Sequence, residues 1–192
     1  MSKSNPVWIV LGVILAVVVL VGLWVAGAYN GLVSSQEGLN EKWNNVQADY
    51  QRRADLIPNL VAAVKSYTNY EGNVLTEVTQ ARSGWTSAAT QADKIKAAGA
   101  MDSAFARLLA VVENYPNLKA NENYLSLQDE IAGTENRIKF SRTEFNNAVK
   151  TYNTKVRSFP TIMIAGMFGF ETKQGFEAQP GAETAPNVGA ML

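Results

Sequence analysis

Arg52, Arg53, Asp55, Glu113 and Glu135 are the side chains of this sequence best placed to do chemistry. Two carboxylates perform general acid–base work when their surroundings push the two pKa values apart. Here the candidates alternate with arginines on helix faces, where salt bridges are the ordinary result. The usual helpers are missing, because the chain has no histidine and no cysteine. That excludes a Ser-His-Asp triad, a thiol nucleophile, disulfides and the common zinc sites. A metal site would need carboxylates alone, which suit magnesium, calcium or manganese. The expectation is a protein that is not an enzyme and holds no metal and no cofactor. Lys plus Arg and Asp plus Glu each number 17 in 192 residues, so the net charge is zero. A nucleic-acid partner would want a basic excess, and none is expected here.

The charges are distributed unevenly. After Lys3 no charged residue appears until Glu37, and residues 7–28 carry no polar side chain except the indoles of Trp8 and Trp24. As a helix this run measures about 33 Å, enough to cross a hydrocarbon core of about 30 Å. Trp8, Trp24 and Tyr29 mark its ends, where amphipathic rings prefer the membrane interface. A cleaved signal peptide is the alternative, since Ala26-Gly27-Ala28 has the form of a cleavage site, but a signal core is shorter. A buried core helix would show a polar face. Gly22 and Ala26 have the small-xxx-small spacing of a helix-packing face. Lys3 on one side and Lys42 on the other lean towards an N-terminus in the cytoplasm, with the bulk of the chain outside it. The chain is expected to cross a membrane once.

The remainder has a helical period. Leu39, Trp43, Val46, Tyr50, Arg53, Ile57, Leu60, Val64 and Tyr67 recur in steps of three and four, a coiled-coil-like stripe. It predicts a helix over 30–67, continuous with the membrane helix. Val74, Val78, Ala81 and Trp85 mark a second helix, after a break at Asn69, Gly72 and Asn73. Met101, Phe105, Leu108, Leu109 and Val112 mark a third, ended by Pro116. Tyr124, Leu127, Ile131, Glu135, Ile138, Arg142, Phe145, Val149, Tyr152 and Val156 mark a long fourth, ended near Phe159-Pro160. The fold class is all-α: a tail over 1–6, a transmembrane helix over 7–28, an antiparallel up-and-down four-helix bundle over 29–170, and a flexible tail over 171–192. The first and last bundle helices are long, so a two-helix stalk and a four-helix head are expected.

Three anomalies stand out in these stripes. Arg53 and Glu135 occupy positions meant for apolar residues, and antiparallel register sets them opposite each other. They are expected to form a semi-buried ion pair, which either specifies register or serves as a ligand or switch site, and a charge swap would recover the stability that Arg53→Ala loses. Pro58 lies inside a helix and frees the carbonyl of Ala54. It either bends the helix around the head or shapes a ligand cleft with Asn59. The segment 161–170 is uncharged and apolar. Phe159, Ile162, Met163, Ile164, Met167, Phe168 and Phe170 are candidate contacts with the membrane or a partner, or else pack across the base of the bundle.

Several of these stretches resemble the LemA family of bacterial membrane proteins: Arg52-Arg53-Ala54-Asp55-Leu56-Ile57-Pro58-Asn59-Leu60-Val61, Tyr115-Pro116-Asn117-Leu118-Lys119-Ala120, Thr134-Glu135-Asn136-Arg137-Ile138 and the run from Arg142 to Asn153 with Phe145-Asn146 and Tyr152-Asn153. Tyr29-Asn30 and Phe159-Pro160 fit as well. The resemblance implies one N-terminal membrane helix, a long-helix bundle and no attached enzymatic activity. It also implies links of some members to magnetosome membranes and to membrane metalloproteases of the HtpX kind. The reading that follows is a membrane-anchored scaffold or interaction module. Its partners would be the lipid bilayer, further copies of itself as a homo-oligomer, or another membrane protein. The alternative is a ligand or signal sensor, or an adaptor for a membrane protease or envelope process.

Overall fold

The computed structural model describes residues 6–67, 72–119 and 121–177. Among these residues there are six helices and no strand: α1 (Pro6–Lys65), α2 (Gly72–Ser87), α3 (Gln91–Glu113), α4 (Pro116–Lys119), α5 (Glu122–Arg157) and α6 (Thr161–Phe168). The four long ones are the helices expected from the stripes. Residues 1–5, Asn69 of the expected break, and the tail beyond 177 lie outside the described residues.

Local chemistry sets several boundaries. Thr90 opens α3 by accepting a hydrogen bond from the Asp93 amide, 3.1 Å away, which satisfies one of the free donors of the first turn. Asn121 does the same for Tyr124 at the start of α5. Pro116 ends nothing by itself, since α3 has already stopped at Glu113. It sits instead at the first position of the one-turn helix α4, where its missing N–H costs no bond. Pro58 lies inside α1. The Ala54 carbonyl that it deprives of a helical donor accepts a 2.7 Å bond from Nε of Arg82, on α2. A lost backbone bond has become a tie between two helices.

The chain divides into two compact units, residues 1–42 with 147–173 and residues 43–146 with 174–192. In the first, side chains 7–24 of α1 are all exposed, as lipid-facing side chains would be. Leu32 and Leu39 of α1, Val149, Tyr152 and Val156 of α5, and Ile164 and Ala165 of α6 are buried. The segment 161–170 was expected only as an apolar stretch, but most of it forms α6. Gly169 closes this helix in the left-handed conformation, φ 73°, which glycine adopts without strain.

The second unit holds the bundle core. Trp43, Val46, Tyr50, Ile57, Leu60 and Val64 of α1 are buried with Val78 and Trp85 of α2. Met101, Phe105, Leu108 and Val112 of α3, and Tyr124, Ile131, Ile138 and Phe145 of α5, complete it. Tyr67, the last residue of the α1 stripe, is exposed.

Residues 171–177, expected as the start of a flexible tail, are tied to α5 instead. The Asn153 amide donates to the Lys173 carbonyl and accepts from its N–H, both at 2.8 Å. The Asn146 amide pairs in the same way with Phe176, at 2.9 and 2.8 Å. An asparagine side chain presents a donor and an acceptor side by side, so each one mimics a strand neighbour.

Candidate functional site

Arg53 is the one buried charged side chain among the described residues, only 4% exposed. It faces Glu135 on α5, as the stripes required, and its other terminal nitrogen meets Asp102 on α3. Asp102 is the organising anion. Its carboxylate also accepts from the Tyr50 hydroxyl, at 3.1 and 3.2 Å, and from Arg142 at 2.9 Å. Two cations and two carboxylates from three helices therefore neutralise one another. The Arg53 guanidinium lies 5.2 Å from the Tyr50 ring and 5.3 Å from the Phe105 ring, so its faces are covered by π systems. Its Nε is buried without a partner.

Burial alone would pull the Arg53 pKa down, but Glu135 and Asp102 together hold it above the usual arginine value. Tyr50 is pushed well above the ordinary phenol, first by burial and then by the Asp102 charge. Both directions fix one protonation state, a charged Arg53 beside a neutral Tyr50.

Residues 174–177 close over this cluster. The Phe176 ring stacks on Tyr50 at 6.2 Å, meets Phe145 edge-on at 5.9 Å and lies 4.6 Å from the Arg142 guanidinium. An open cleft of about 520 Å³ remains beside it, lined by Arg53, Asp102, Phe105, Glu135, Arg142 and Phe176 among others.

The other candidates are dispersed. Arg52 and Asp55 are exposed on α1, where Gln51 donates to Asp55 at 2.9 Å. Glu113 is exposed and 3.9 Å from Lys119, and shares with Glu135 only a smaller open cleft of about 280 Å³. Pro58 and Asn59 are exposed on the outer side of α1. The charged cleft forms at Arg53 rather than beside them. Among the described residues no cluster of carboxylates has the geometry to hold a metal ion. Of the apolar contact candidates, Phe159, Ile162, Met163, Met167 and Phe168 are exposed and Phe170 is half-buried. Ile164 is buried, because it falls on the inner side of α6.

Sequence reasoning missed Asp102, although a signal was there. The α1 and α5 stripes place Arg53, Glu135 and Arg142 inward, two cations against one anion, and buried charges need partners. That imbalance calls for a carboxylate from α2 or α3. Phe176 was missed too, and its signal was a lone large aromatic in an otherwise polar segment.

A profile of the LemA family matches residues 42–189. The chain belongs to the LemA family. It is 28% identical to magnetosome protein MamQ 2 of Paramagnetospirillum magneticum over 182 aligned residues, covering 81% of this chain and 67% of that one. Magnetosome protein MamQ of Magnetospirillum gryphiswaldense is 26% identical over the same shares. Protein LemA of Metamycoplasma hominis is 26% identical, covering 72% of this chain and 64% of its own. The LemA match takes in Arg53, Asp102, Glu135, Arg142, Asn146 and Phe176. The apolar part of α1 precedes it. That part is the one helical stretch among the described residues long and apolar enough to cross a membrane, and none of its most apolar window is buried. A single-pass, membrane-associated LemA-family protein fits both findings.

Proposed function

We propose that this protein is a membrane-anchored, non-enzymatic interaction module of the bacterial inner membrane. It would assemble with further copies of itself or hold a membrane protein partner. One observation carries the reading. The charged centre of the bundle is occupied by its own side chains, with Arg53 and Arg142 paired to Asp102 and Glu135. A catalytic centre keeps a reactive group free and a neighbour to activate it. Here the polar residues hold three helices in register instead. Outward apolar surfaces are then left to carry function.

The test is native mass spectrometry of the full-length chain, gently extracted from its own membrane. A closed oligomer or a stoichiometric complex with a second membrane protein is the expected result. A bare monomer that captures nothing after cross-linking in intact cells would remove the scaffold reading.

The open cleft beside Arg142 and Glu135 supports a second reading, a ligand or signal sensor coupled to a membrane protease or another envelope process. Small anions and zwitterions that raise the Tm of the wild type but not of Arg142→Ala would favour it.

A further inference from the structure

We propose that α6, with Phe159 before it, lies in the interfacial layer of the bilayer and forms a second membrane attachment beside the spanning helix. A helix at the surface of a water-soluble protein turns polar side chains outward. The outward side of α6 does the reverse. Phe159 is 82% exposed, Met163 63% and Met167 73%, while Ile164 and Ala165 point inward and are buried. Met163 and Met167 lie four residues apart in α6 and so share one face, and Phe159 stands exposed just before the helix. No residue from 158 to 170 carries a charge. Both faces of this helix are apolar, and the protein covers only one of them.

The occupant of the other face follows from what α6 touches. The Phe168 ring lies 4.9 Å from the ring of Tyr29, and Phe170 lies 5.7 Å from it. Tyr29 directly follows the apolar run 7–28, where the spanning helix leaves the hydrocarbon. The exposed face of α6 is thus continuous with the lipid-facing surface of α1, at the depth where aromatic rings gather. Lys155 and Arg157, both exposed in the last turn of α5, stand just ahead of it. Long cationic side chains there reach anionic headgroups while their stems stay among apolar groups. A helix seated this way sinks roughly 5–10 Å into the headgroup and acyl boundary.

The inference rests on α1 spanning the bilayer, and its test separates the two claims. The chain has no cysteine, so single thiol probes are unambiguous. Full-length Met163→Cys and Met167→Cys would carry a fluorophore in phosphatidylcholine–phosphatidylglycerol vesicles that contain a nitroxide-labelled lipid. Val13→Cys reports the span, and Thr151→Cys, on the exposed side of α5, reports water. All four sites are exposed in the structure, so circular dichroism should match the wild type. The expected result is quenching at 163 and 167 of at least half that at 13, with little at 151. A shielded, immobile probe at 163 and 167 with no lipid quenching would overturn the inference in favour of a second copy on that face. Water-like values at 163 and 167 would overturn it outright. Strong quenching at 151 would overturn it as unspecific. Water-like values at 13 would sink the anchor and the inference together.

Discussion

Arg53 shows how little a pairwise view captures. A lone buried Arg–Glu pair would survive exchange of its two charges. This arginine is shared, because Asp102 on α3 binds it as well. Arg53→Ala should cost about 3–5 kcal/mol, since it strips Glu135 of this partner and leaves the buried Asp102 with Arg142 as its remaining cation. Asp102→Asn should cost less, about 1–3 kcal/mol, through weakened bonds to Tyr50 and Arg142. Glu135→Gln should cost about 1 kcal/mol or less, because this side chain is 42% exposed and water can replace the contact. Urea denaturation gives all three. The charge swap Arg53→Glu with Glu135→Arg should fail to recover stability, because the new glutamate faces Asp102. Adding Asp102→Asn should recover part of the loss, and additivity across these variants would show that the cluster is not coupled. Tyr50 contributes to the alkaline limit. The folded protein holds this phenolic proton more tightly than the unfolded chain. Stability is therefore full below the unfolded value of about 10 and falls as pH rises through it. Tyr124 and Tyr152 are also raised, mainly by burial, so the informative quantity is the difference between wild type and Tyr50→Phe. The variant should show a shallower fall of Tm above about pH 10.

Among the elements, α5 does the most positioning, and it shows where sequence reading works and where it stops. Its stripe at steps of three and four gave the buried face from Tyr124 to Val156, and the same period placed Arg53 opposite Glu135. Periodicity reports one face against a core. It says nothing of a single strand laid along another side of the helix, which is why the attachment of residues 171–177 was not legible. Asn146 and Asn153 lie seven residues apart, two turns on one side, and each presents an amide to the backbone of that segment. Asn146→Ala removes two bonds and the support under Phe176. It should cost about 1–3 kcal/mol and raise amide hydrogen exchange at residues 174–177 far more than in α3. Asn146→Asp keeps the acceptor and loses the donor, so it should fall between. Equal exchange in all three proteins would mean that Phe176 alone fastens the segment. The same limit applies to α4 and α6. Elements of one or two turns carry too few residues for a period, and their existence rests on Pro116 and on the left-handed Gly169.

At the scale of the whole molecule, little charge flanks the apolar run to bias the side of the membrane. Lys3 stands before the apolar run, and Lys42 is the first basic residue behind it. Lysines and arginines near a span bias orientation, while acidic residues count for little. Lys150, Lys155, Arg157 and Lys173, on α5 and beyond, follow long after the span. Insertion responds mainly to charges within about 15–20 residues of the membrane segment. With Lys3 set against Lys42, the expected arrangement is N-terminus in, with the bundle outside the cytoplasm. A membrane-impermeant thiol reagent applied to intact spheroplasts should label Thr151→Cys and leave Ser4→Cys untouched until the cells are lysed. Because the bias is so small, Lys3→Glu together with Ser35→Lys and Gln36→Lys should invert a measurable fraction of the molecules and exchange the two labelling patterns. A population that keeps its orientation through that change would show that the orientation is set by the folded bundle or a partner, and not by the charges flanking α1.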